Sequence, residues 1–134
     1  KENIMDFMKQ YKDETYALLR IVSGFLFIFH GIPKMSAIMA GTANWMTMLA
    51  GPIEVIGGLM IMVGLYTSAA AFLSSGLMAG AYWLIHFSKM GNPEKAFYGW
   101  PINNGGDAAV LYCFIFLFIA AMGSGIWSID NKKG

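Results

Sequence analysis

Charge is what this sequence has least of. Asp, Glu, Lys and Arg make up 13% of its 134 residues, against roughly 25% in an ordinary soluble domain. The formal net charge is +1, which gives no reason to expect nucleic acid or an acidic substrate as partner. Cysteine is nearly missing too. The one thiol, Cys113, excludes an internal disulfide, a Cys-x-x-Cys redox pair and any zinc-type cysteine spacing. It sits in the apolar run Val110–Ala121 and reads as a small buried residue. The 16 glycines lie inside or beside apolar stretches and form no phosphate-cradling loop. No metal-ligand set is legible.

What is present is hydrophobic residue in long blocks, 57% of the chain. A membrane-crossing helix needs roughly 20 mostly apolar residues, and four stretches qualify: Tyr16–Lys34, Met48–Leu65, Thr67–Phe87 and Asp107–Trp127. Gly41-Thr-Ala43 after the first stretch resembles a cleavage site, but Arg20 and His30 interrupt what a signal peptide keeps apolar. The expected fold is therefore all-α, an integral membrane four-helix bundle with up-down antiparallel threading over residues 16–130. Residues 1–15 form a separate segment. Ile4, Phe7, Met8 and Tyr11 recur there at helical spacing among Lys, Glu and Asp, the pattern of an amphipathic interfacial helix or a partner-docking one. The third stretch is rich in Ala, Ser and Gly, and its Gly76 and Gly80 lie four apart on one face, which lets helices approach closely in lipid. That places span three at the centre of the bundle, with Gly57 and Gly64 serving span two in the same way.

Leu65-Tyr-Thr-Ser68 is a tight turn between spans two and three. The longer connections Met35–Thr47 and Ser88–Gly106 then share the opposite side. The termini's side carries Lys1, Lys9, Lys12, Arg20, Lys132 and Lys133, the loop side Lys34, Lys89 and Lys95. The positive-inside rule puts both termini in the cytoplasm. Tyr16, Tyr66 and Trp127 would line the inner interface, Trp45, Tyr98 and Trp100 the outer one.

This threading brings polar residues from four spans to the outer end: His30 and Lys34, Glu54, His86, then Asn103, Asn104 and Asp107. A charge at the centre of a spanning helix costs about 2.5–3.5 kcal/mol on insertion scales, so such groups face inward and find partners. His30 and Lys34 share a face; Arg20, ten residues earlier and about 15 Å away, belongs to the other end. Each residue also has a plainer reading: Lys34 snorkelling, Asp107 at a helix start, the histidines bonded to carbonyls, Glu54 a structural partner, Asn103–Gly106 a turn. Their convergence is what favours a site. In it Glu54 and His30 are the candidate catalytic pair, and His30, His86, Lys34, Asn104 and Asp107 the candidate ligand-binding groups.

The run Leu18-Leu19-Arg20, Phe29-His30-Gly31-x-x-Lys34, Gly51-x-x-Glu54-x-x-Gly57-Gly58, Gly64-Leu65-Tyr66-Thr67, His86 and Asn104-Gly105-Gly106-Asp107-Ala108 resembles the DoxX family of small prokaryotic membrane proteins. Asp107 stands where that family commonly has Glu. The resemblance implies a prokaryotic inner membrane and a redox setting near quinone, since members are linked with a thiosulfate:quinone oxidoreductase, terminal oxidase assemblies and oxidant-defence complexes. Several functions stay open. The chain is a small subunit of a respiratory or other redox complex with a quinone-type site, where His30 or His86 donates to a carbonyl oxygen and Glu54 or Asp107 takes up protons. Alternatively it is a non-catalytic accessory subunit, bound to other membrane subunits through its small-residue faces, its N-terminal helix and its aromatic outer loop. Haem held by His30 and His86, and transport of a small solute, are further alternatives.

Overall fold

The computed structural model describes residues 3–87 and 100–133. Lys1, Lys89, Lys95 and Tyr98, used above for topology, lie outside that range. Every regular element among the described residues is helical. Asn3 forms a capping box with Asp6, and Ile4–Tyr11 follows as a 3-10 helix that runs without interruption into α1, Lys12–Met39. After a short turn come α2, Trp45–Val63, and α3, Thr67–His86. A single turn, α4, spans Pro101–Asn104. Then follow α5, Asp107–Met122, and the short α6, Ile129–Lys133.

Among the described residues three helices are long and apolar enough to cross a membrane: Ile4–Met39, Trp45–Val63 and Thr67–His86. The fourth apolar helix is shorter than the sequence suggested. α5 stops at Met122 because Gly123 and Gly125 take positive φ (88° and 67°) and Trp127 follows at 57°, backbone settings that end a helix. Large apolar side chains on the helices point outward, Phe72 at 67%, Phe114 at 64% and Leu111 at 63% exposure. So much uncovered apolar surface suits lipid rather than water.

The helices meet in antiparallel pairs. Tyr16 near the start of α1 donates to the carbonyls of Ile119 and Gly123 at the end of α5, while Phe27 packs its ring on Phe116 and Tyr112. Between α3 and α5, Ser75 donates to the Cys113 carbonyl at 2.7 Å. Here Ala70, Ala71, Met78, Ala109, Phe116 and Ile119 form the core with Phe27 and Ile61. Between α1 and α2 the backbones come close at two glycines. A Cβ on Gly24 would lie 2.6 Å from the Gly58 carbonyl oxygen, and one on Gly58 2.8 Å from the Gly24 carbonyl. Gly76 and Gly80, expected to do this work, have nothing within 4 Å of a Cβ; α3 packs instead through Ala70, Ala71, Ser74 and Ser75. Of the pair expected on span two, Gly57 does face Ser74, and Gly64 is a turn residue at φ 73°.

At the end opposite the predicted polar cluster sits a second polar centre. Arg20 is 0% exposed, although the sequence reading left it at an interface. Its Nη1 donates to the carbonyls of Ile61 (2.9 Å) and Met62 (2.7 Å), and its Nη2 to those of Ile126 (3.0 Å) and Trp127 (2.7 Å). The first two are terminal carbonyls of α2, the negative end of its macrodipole, where a cation is stabilised. Asp130 does the converse at the start of α3. Its carboxylate accepts from Tyr66 N, Thr67 N and Thr67 Oγ1 at 2.7–2.9 Å, and its own N–H donates to the Gly64 carbonyl.

Candidate functional site

Glu54 lies in a π-type turn, Ile53–Gly57, set into α2 directly after Pro52. Proline cannot donate a helical hydrogen bond, and a π turn widens the helix locally, a feature common at functional positions. The turn directs Glu54 at α1, where glycines let the two helices close up. A Cβ on Gly31 would lie 2.9 Å from the Glu54 Cβ, and one on Gly51 3.1 Å from the Lys34 Cβ. Glu54 is 2% exposed. Lys34 Nζ donates to Glu54 Oε1 at 3.1 Å and to the His30 carbonyl at 3.1 Å, and it lies 2.8 Å from Oε2. Oε2, the nearer oxygen, is enclosed with that ammonium as its partner. A carboxylate in a dry place is costly unless paired, and Lys34 is the cation that pairs this one.

His30, one turn before Lys34, is exposed on the lateral surface of α1. Its ring meets the Tyr112 ring edge-on at 5.4 Å. Tyr112 in turn stacks on Phe116 at 5.4 Å and 22° and packs on Phe27. Sequence reasoning passed over Tyr112 because it is embedded in the apolar run of α5. The signal was there in its hydroxyl, on a stretch otherwise made of Phe, Ile, Leu, Val, Ala and Cys. Glu54, Lys34, His30 and Tyr112 thus come from three helices.

The other predicted residues gather elsewhere. His86, in a second π-type turn at Tyr82–His86, has its Nδ1 3.2 Å from the Asn104 carbonyl. The Asn104 side chain donates to Tyr82 Oη at 3.4 Å and accepts from Gly106 N at 2.9 Å. Gly106 is glycine by necessity, since a Cβ there would come within 2.6 Å of the Tyr82 ring. Asn103 and Asp107 are exposed. Gly57 faces Ser74, so in these antiparallel helices Glu54 is level with about residue 77 of α3. His86 is then about 13 Å further along. One polar level in the sequence is therefore two in the structure: Lys34–Glu54 with His30, and Tyr82–His86–Asn104 toward the outer end. The two imidazoles face different partners and form no pair for an iron. Among the described residues no group of three or more His, Cys, Asp or Glu is placed to hold a metal ion.

Comparison with known proteins adds two findings. The DoxX family model matches residues 15–87, the stretch that carries Arg20, His30, Lys34, Glu54 and His86. A protein of Haemophilus influenzae described as uncharacterized is 36% identical over 135 residues, covering 96% of this chain and 97% of its own. No solved structure matches the chain.

Proposed function

The chain belongs to the DoxX family of membrane proteins, and on that premise we propose that it is a small subunit of a membrane redox complex with a quinone-type site built on Lys34, Glu54 and His30. The observation that carries this reading is the buried Glu54 paired with the partly exposed Lys34 in apolar helices, beside a laterally exposed imidazole. Ionisable groups inside a membrane segment are expensive and mark pathways for protons, ions or substrates. A quinone-type ring needs a flat apolar wall and a hydrogen-bond donor at its oxygen. Phe29 and the aromatic rings around Tyr112 offer the wall, and His30 the donor. Glu54 is the group that takes up a proton, and Lys34 Nζ, 2.8 Å from its Oε2, balances the carboxylate charge while Glu54 is ionised. His86 and Asn104, in this reading, tie α3 to the α4–α5 turn at the outer rim, and Asp107 faces outward there.

The reading includes four membrane crossings in an up-down bundle, with α5 as the fourth. Both termini are in the cytoplasm of a prokaryotic inner membrane, and residues 1–15 lie at its inner surface. The test is Glu54→Gln in the native membrane. Quinol turnover should fall by at least tenfold while the complex still assembles; unchanged turnover removes the catalytic role of Glu54.

One observation favours a second reading, an accessory subunit without chemistry. The Gly76–Gly80 face of α3 is uncovered and, with Trp45, Leu49 and Leu84, lines an apolar groove of about 170 Å³. Small-residue faces of this kind receive partner helices in lipid. Native mass spectra of the chain extracted in mild detergent separate the readings: redox subunits travelling with it, and turnover indifferent to Glu54, select this one.

A further inference from the structure

Tyr112 has a hydroxyl that packing does not require. Its ring fills the space between His30, Phe27 and Phe116, a task phenylalanine performs equally well in a helix that already holds Phe114, Phe116 and Phe118. Among the described residues no hydrogen bond is made by this hydroxyl, and its oxygen is not fully enclosed. Tyr112 is half-buried, so the phenol is within reach of a molecule arriving from the lipid side, next to the exposed His30. Tyr112 lies beyond the part of the chain that the family model matches.

We infer that Tyr112 is a ligand-binding residue whose hydroxyl supplies a second hydrogen bond, beside that of His30, to the oxygen of a quinone-type ring. This rests on the quinone-type reading above and extends it. Two donors from neighbouring helices, α1 and α5, fix the plane of the ring as well as its depth. One donor alone leaves it free to turn. The stacked Phe116 holds the Tyr112 ring in place, so the phenol is set before the ligand arrives and little side-chain entropy is lost on binding.

The experiment uses the full chain in lipid nanodiscs titrated with a decyl-substituted benzoquinone, binding being read from quenching of tryptophan fluorescence. Tyr112→Phe keeps the ring and its contacts, and its melting temperature should match the wild type. Its affinity should fall about three- to tenfold, the range of one net hydrogen bond. The infrared band of the bound quinone carbonyl, moved to lower wavenumber by the wild type, should move less in the variant. If Tyr112→Phe binds as the wild type and gives the same carbonyl band, while His30→Ala binds more weakly, the role of Tyr112 is overturned and the site stands. If the wild type does not bind the benzoquinone at all, the quinone-type reading falls, and this inference with it.

Discussion

Lys34 and Glu54 show how one buried pair is made tolerable. Each charge alone would be costly in apolar surroundings; together they are held by a 2.8 Å contact and by the His30 carbonyl. Removing one member leaves the other uncompensated, and such breaks cost about 3–5 kcal/mol, whereas replacing both with apolar residues of similar volume is often neutral. Lys34→Met should therefore lower unfolding stability in detergent by about 3 kcal/mol or slightly less, Lys34 being partly exposed. Adding Glu54→Leu to it should recover most of the loss. Denaturation of the two variants side by side checks this. A double variant as unstable as the single one would mean that the pair does more than neutralise itself. If the double variant is stable but inactive in quinol turnover, the pair is kept for function.

Helices here are joined by glycines at places a sequence pattern does not distinguish. Gly24 and Gly58 touch backbone to backbone, while Gly76 and Gly80 face open space, yet all four sit in apolar runs. Gly24→Ala puts a methyl 2.6 Å from the Gly58 carbonyl oxygen and the Met62 nitrogen. Backbone cannot yield as a side chain can, so this variant should lose about 2 kcal/mol or more through separation of α1 and α2. Gly76→Ala in the isolated chain should be neutral or gain up to about 1 kcal/mol from helix propensity. Thermal melts of the purified chain decide it. A Gly76→Ala variant that is stable alone but fails to associate in its native membrane would identify that face as an interface with another subunit.

On the scale of the whole molecule, polar groups close both ends. Toward the outer end Tyr82, His86 and Asn104 fasten α3 to the α4–α5 turn. At the other end Arg20 and Asp130 gather the end of α2, the start of α3 and the segment after α5 into one knot. Asp130→Ala removes three accepted hydrogen bonds from the start of α3. Cap losses of this kind cost about 1–2 kcal/mol, and the amides of Tyr66 and Thr67 should exchange hydrogen faster than in the parent. Arg20→Met removes the side-chain donor from four carbonyls, of which only that of Ile61 keeps a printed backbone donor, the Gly64 N–H, and should release the C-terminal segment altogether, seen as protease cleavage between Met122 and Lys132. Exchange and cleavage unchanged in both variants would show that the segment is held by its apolar contacts alone.

The sequence by itself determined the material and the class. Too little charge and long apolar runs leave helices as the form in which a chain satisfies its backbone away from water, and the ordered motifs from Leu18 to Asp107 carried the family. His30, Lys34 and Glu54 were also legible, because a charged residue in an apolar run is conspicuous and spacing along one helix is fixed at 1.5 Å per residue. Only the tertiary structure decided what depends on rotation and register between helices: which glycines face a neighbour, that His86 sits about 13 Å beyond Glu54, that Arg20 turns inward to carbonyls some forty and one hundred residues away, and that Tyr112 stands beside His30. The sequence gives each helix its own polar positions, but how two helices rotate and slide against each other is set by the sum of many small packing contacts, which no single residue announces.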